Sequence, residues 1–188
     1  MKILFVPLSE TAIAHIVRCL TIAIEAKRRG HEVLFTGIRG RTDLIDEFDI
    51  PVFKNGVKLP ITLKEEIDKI TQIRRYEIEA ARYFRPDIII NDPVIAGSFA
   101  ARKFNIPLVL VTNATLLPNY SGYYGYEKVG EDLTNDFKYF GTYYPRKVMF
   151  PRIQKVYNRL GIENTPEQYD ELFDKNLKII PSIPSLDP

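Results

Sequence analysis

Three stretches of this sequence have no face to offer water. Ile3-Leu4-Phe5-Val6, Asp87-Ile88-Ile89-Ile90-Asn91 and Ile106-Pro107-Leu108-Val109-Leu110-Val111-Thr112 are apolar through their centres without alternation. A strand in a one-sided antiparallel sheet alternates apolar and polar residues, whereas a strand covered on both faces does not. These runs therefore belong to a parallel sheet, whose neighbouring strands must be joined by crossovers long enough to hold a helix.

The crossovers are present. Ala14 to Arg29 has helical length, and Gly30 follows it where a left-handed cap residue is wanted. Thr42 can cap a short helix through Phe48. Thr62-Leu63-Lys64-Glu65 is a capping box, and the helix it opens runs to about Phe84, with Ile67, Ile70, Ile73, Ile78 and Ala81 as its apolar residues. Val94 to Asn105 is a helix of small and apolar residues, and Thr165-Pro166-Glu167-Gln168 is a further helix start. Glu32-Val33-Leu34-Phe35-Thr36 supplies a second strand, Pro51-Val52-Phe53 a weak third and Lys178-Ile179-Ile180 a short sixth. Strands and helices alternating in this way predict an α/β fold, a Rossmann-like doubly wound parallel sheet with helices on both faces. Right-handed crossovers give it the order 3-2-1-4-5, with the short sixth strand added.

At 188 residues the chain suits one domain, expected over 1–180. Pro181, Pro184 and Pro188 make 181–188 an extended, linker-like tail. A net charge of +2 is too small to suggest nucleic acid as a partner. The single Cys19 cannot close an internal disulfide, which fits a reducing compartment. The apolar start at Ile3 is too short for a secretory signal, and no run approaches 18 apolar residues, so a cytoplasmic protein is expected.

The first strand-to-helix turn, Pro7 to His15, is where a dinucleotide cradle would sit. It contains no glycine, so no backbone approaches a pyrophosphate in the G-x-G-x-x-G manner. No Walker A pattern occurs, and two separated histidines with one cysteine make a poor zinc set, so no metal is expected. His15 remains. In open parallel sheets ligands bind beyond the carboxyl ends of the strands, where the order reverses. Here the reversal falls between the first strand, which His15 follows, and the fourth, which Asp92 ends. Adjacent strands lie about 4.8 Å apart, so an imidazole and a carboxylate leaving those ends can meet as a general base with an orienting acid.

Other readings of these residues stand beside that one. His15 is also placed to bond backbone at a helix start, and Asp92 before Pro93 is also a helix N-cap with Pro at the first helical position. Cys19, one turn after His15, reads as a packing residue, and His31 lies at the far end of the sheet. Seven tyrosines between Tyr120 and Tyr144 either pack a loop or line a pocket; Ser9, Asn113, Tyr120, Tyr123 and Tyr124 are candidate acceptor-binding residues. Lys138 to Arg159 carries six cations and no acid, which suits a solvated face or peripheral contact with an anionic membrane.

The opening Met1 to Val6, the His15 turn and Ala26-Lys27-Arg28-Arg29-Gly30-His31-Glu32-Val33 together resemble the start of GT-B nucleotide-sugar glycosyltransferases, in the group of the macrolide and glucuronosyl transferases. Arg85-Pro86-Asp87 through Asp92-Pro93, Ala100-Ala101-Arg102 and Asn105-Ile106-Pro107 resemble a further segment of that group, as Ile180 to Pro188 resembles the stretch before its second domain. The resemblance implies that the chain is the acceptor-binding half of an inverting enzyme. It implies that His15 deprotonates the acceptor hydroxyl with Asp92 supporting it, and that a UDP-sugar binds on a partner domain. Either that domain is a separate polypeptide, as in split GlcNAc transferases of lipid-linked glycan synthesis, or the chain is a fragment or a retired half. Ala14-His15 stands where the group has glycine-histidine, and Arg18 near its usual proline. The alternative is a non-catalytic docking subunit that brings a partner or acceptor to a membrane surface.

Overall fold

The computed structural model of the chain describes residues 1–7, 13–36, 43–54, 67–92, 98–112, 150–173 and 176–181. Its strands are β1 (Lys2–Pro7), β2 (Glu32–Phe35), β3 (Ile88–Asp92), β4 (Leu108–Val111) and β5 (Leu177–Ile179). Its helices are α1 (Ile13–Arg28), α2 (Asp43–Asp46), α3 (Ile67–Phe84), α4 (Ser98–Phe104) and α5 (Phe150–Arg159), with a 3₁₀ turn at Tyr169–Leu172. All strand pairs are parallel, in the order β2-β1-β3-β4-β5.

The fold is thus the expected α/β, Rossmann-like sheet, with one difference at its edge. Pro51-Val52-Phe53 does not form a strand: Val52 makes a single parallel bridge to Phe35. The sheet therefore has five strands rather than six among the described residues. The segment is short and its last carbonyl is diverted, since Phe53 O accepts from the Tyr76 hydroxyl.

The apolar runs are buried as their lack of alternation requires. Leu4, Phe5 and Val6 of β1, and Ile89 of β3, are inaccessible or nearly so. One face of the sheet packs Phe5, Phe35, Ile90 and Val109 under Ile16, Cys19, Leu20 and Ala23 of α1. The other packs Leu4, Leu34, Ile89 and Leu110 against α3, α4 and α5 through Ile78, Ala81, Phe99, Ile153 and Tyr157. Helix α3 also buries Arg74 and Glu77, which pair one turn apart, with the Arg74 guanidinium 5.9 Å from the Phe99 ring centroid.

Helix α1 ends as Gly30 predicts. Gly30 has φ +81°, its N–H donates to Lys27 O, and the His31 N–H donates to Ala26 O. Those two bonds satisfy carbonyls that the last turn leaves open. Helix α5 repeats the device at Gly161, φ +60°, with the Ile162 N–H donating to Tyr157 O.

The helix start expected at Thr165 is not used. Gln168 is extended and makes no side-chain cap bond, and only the 3₁₀ turn follows. Leu172 and Phe173 are instead buried in the core, with Tyr169 edge-on to both Phe150 and Phe173. Burial of Leu172 and Phe173 outweighs a capping pattern worth about 1 kcal/mol. The capping box at Thr62 lies outside the described residues.

Candidate active site

The sheet order places the reversal between β1 and β3, and the parallel register sets Pro7 opposite Asp92. Both residues end their strands at the carboxyl edge of the sheet. Thr36 and Thr112 follow the ends of β2 and β4, and with Asn91 and Asp92 they give this edge a buried polar lip. The Thr36 hydroxyl has no hydrogen-bond partner among the described residues.

Helix α1 returns over this edge, and its first turn carries His15. His15 Nδ1 lies 2.7 Å from Asp92 Oδ1. The Asp92 side chain is completely buried, while that of His15 is 17% exposed. The two residues that sequence reasoning paired are therefore in contact across 77 positions of chain. Nδ1 is engaged, so Nε2 is the nitrogen left to meet another molecule.

A third residue shares the site. Arg18 Nε donates to Asp92 Oδ2 at 2.6 Å, and its Nη2 donates to Oδ1 at 2.8 Å, a bidentate clamp. The same Nη2 lies 2.7 Å from His15 Nδ1. Hydrogen bonding to Asp92 holds the Arg18 guanidinium more firmly protonated than usual, outweighing the opposing effect of burial. Arg18 was not among the expected site residues. Its signal was its spacing, three positions after His15 and so on the same side of the helix.

Both Asp92 oxygens are thus engaged by side chains of α1. Cys19 is fully buried in the α1 core, and burial, reinforced by the Asp92 charge, pushes its thiol well above the ordinary range. It packs, as expected, and supplies no thiolate. His31 precedes β2 at the opposite end of the sheet. The expected acceptor-binding residues Ser9, Asn113, Tyr120, Tyr123 and Tyr124 lie outside the described residues. Of the basic segment Lys138 to Arg159, only α5 is described; there Arg159 pairs with Asp68 of α3, and Lys155 is exposed.

Among the described residues, no group of three or more histidine, cysteine or acidic side chains is arranged to hold a metal ion. No described helix is long and apolar enough to cross a membrane.

Comparison with known proteins gives this geometry a setting. No family model matches the chain. An uncharacterized glycosyltransferase of Methanosarcina mazei is 25% identical over 132 residues, which cover 64% of this chain and 35% of that protein. Among solved structures, the glycosyltransferase SnogD from Streptomyces nogalater superposes with a TM-score of 0.60 at 17% identity, over 99% of this chain and 47% of its own. The calicheamicin glycosyltransferase CalG4 gives a TM-score of 0.58 at 22% identity, over 95% and 47%. The chain spans about half the length of these structures and about a third of the curated relative. Its fold is that of one domain of the GT-B glycosyltransferases.

Proposed function

We propose that this chain is the acceptor-side half of an inverting nucleotide-sugar glycosyltransferase, with His15 as general base and Asp92 as the group that orients it. The observation that carries the reading is the 2.7 Å contact between His15 Nδ1 and the buried Asp92 carboxylate. It sits at the reversal point of a sheet whose fold matches one half of GT-B enzymes.

With the proton on Nδ1 directed at Asp92, Nε2 presents a lone pair. It takes the proton of an acceptor hydroxyl as that oxygen attacks the anomeric carbon of the sugar. The bond from that carbon to the diphosphate oxygen breaks, and the nucleoside diphosphate leaves with the electron pair. A single in-line displacement inverts the anomeric centre. Asp92 stabilises the imidazolium that forms.

The donor, a UDP-sugar in this reading, binds a second domain. In support, this chain spans about half of each solved relative, which leaves room in them for a further domain. The test is reconstitution with a donor-binding domain, a sugar nucleotide and a panel of hydroxylated acceptors. His15→Ala should lower transfer about 10²–10⁴-fold, the usual worth of a positioned general base. Transfer unchanged by His15→Ala removes the base assignment.

The alternative is a non-catalytic docking role through Lys138 to Arg159. Salt-sensitive binding of the chain to anionic vesicles, unaffected by His15→Ala and with no transfer on reconstitution, would favour it.

A further inference from the structure

His15 Nδ1, Asp92 Oδ1 and Arg18 Nη2 form a nearly equilateral triangle, with sides of 2.7, 2.7 and 2.8 Å. Only two of its three edges can be hydrogen bonds at once. Arg18 always donates to Oδ1, and Nδ1 then has two options. Protonated, it donates to Oδ1 and faces the guanidinium donor. Unprotonated, it accepts from Nη2 and leaves its proton on Nε2.

The guanidinium, which can only donate, favours the second option. Seen from Nη2, Oδ1 and Nδ1 are separated by about 60°. Nη2 carries two hydrogens and no acceptor site, so one can serve Oδ1 and the other Nδ1. A proton on Nδ1 would instead meet one of those hydrogens across the 2.7 Å edge, beside a permanent cation.

We propose that Arg18 is a positioning residue that holds His15 in the Nε2–H tautomer, keeping the base idle until Arg18 is drawn off Nδ1. The proposal rests on reading His15 as the base, and it deepens that reading into a form of regulation. In the Nε2–H form the outward nitrogen is a donor and takes no proton from a hydroxyl. Moving the guanidinium away frees Asp92 Oδ1 to accept from Nδ1, and the proton shifts from Nε2 to Nδ1. The lone pair that the reaction needs then appears at Nε2. Total proton count does not change; only the ring nitrogen that carries the proton does.

The test is long-range ¹H–¹⁵N correlation on the whole chain with ¹⁵N-labelled histidine, at a pH where the rings are neutral. The chain has two histidines, so His31→Gln assigns the signals. Wild type should show the pyridine-type nitrogen at Nδ1, and Arg18→Leu should move it to Nε2. Arg18→Met, which keeps the packing of the stem, serves should the leucine variant fail to fold. A wild-type proton on Nδ1 overturns the proposal by itself, as does a tautomer unchanged by removing the guanidinium. The measurement needs no donor domain, sugar or acceptor. Its failure is therefore separate from a failure to observe transfer.

Discussion

Replacing Asp92 by asparagine tests the centre of the structure with the least change in volume. The carboxylate accepts both prongs of the Arg18 fork and touches His15 Nδ1, with none of its surface exposed. Asparagine offers one oxygen in place of two. Whichever way the amide turns, an N–H₂ faces either Arg18 Nε or Arg18 Nη2, donor against donor. The guanidinium also loses its counter-charge. Removing one partner of a buried ion pair costs about 3–5 kcal/mol. The Arg18 side chain retains 23% exposure, so it relaxes toward water and the lower end applies. The expected loss is about 3 kcal/mol, and in a chain of this size that lowers Tm by about 6–12 °C.

Urea and thermal unfolding measure the loss, with an unchanged m-value showing that stability alone has moved. A double-mutant cycle then isolates the cause. Arg18→Leu strands the carboxylate as Asp92→Asn strands the guanidinium, so the double variant strands neither. It should be more stable than the summed single losses by about 2 kcal/mol. A loss under about 1 kcal/mol for Asp92→Asn, or additivity within about 0.5 kcal/mol, refutes a desolvated clamp at this position.

Three further outcomes follow from other parts of the chain. Cys19, buried with its thiol pushed far up, should resist alkylation at neutral pH until the chain unfolds, and Cys19→Ser should cost about 1–3 kcal/mol by burying a hydroxyl among apolar atoms. Gly30→Ala meets no atom within 4 Å, so its cost is the left-handed backbone alone, about 1–2 kcal/mol by urea unfolding. Glu25 is held at about 2, below its ordinary 4.5, by hydrogen bonds from Arg28 and Arg29. Its folded value is the lower one, so its contribution is present above pH 4.5 and fades as pH falls toward 2. Glu25→Gln should therefore flatten the acid limb of the stability profile slightly, measured as urea midpoints across that range.

How much of this was legible in the sequence differs between sheet and connections. The β1, β3 and β4 runs announced themselves because burial on both faces demands apolar residues at consecutive positions, a requirement that no other arrangement meets as simply. Gly30 was legible because its positive φ is a local matter. Pro51-Val52-Phe53 and Thr165-Pro166-Glu167-Gln168 were misleading because their outcomes are decided far away. Phe53 is turned to meet Tyr76, with the two rings edge to face at 5.1 Å, and the Gln168 region follows the burial of Leu172 and Phe173. Arg74 and Glu77 carry the same lesson within α3: two charged residues are buried there as a pair, which the apolar pattern of the helix does not announce.

The site divides along the same line. His15 and Asp92 were legible through topology alone, since a parallel sheet brings the ends of neighbouring strands together whatever lies between them in sequence. Arg18 was not, because an arginine inside an amphipathic helix ordinarily belongs to the wet face. What recruits it is the placement of α1, whose rotation is fixed by Ile16, Cys19, Leu20 and Ala23 against the sheet. With those residues inward, His15 and Arg18 share the flank of the helix that overlooks Asp92. The residues that build the core therefore also choose the partners of the carboxylate. A histidine and an aspartate alone would leave the ring proton one obvious place to sit. A guanidinium within 2.8 Å of both makes that placement a competition, and no spacing in the sequence announces it.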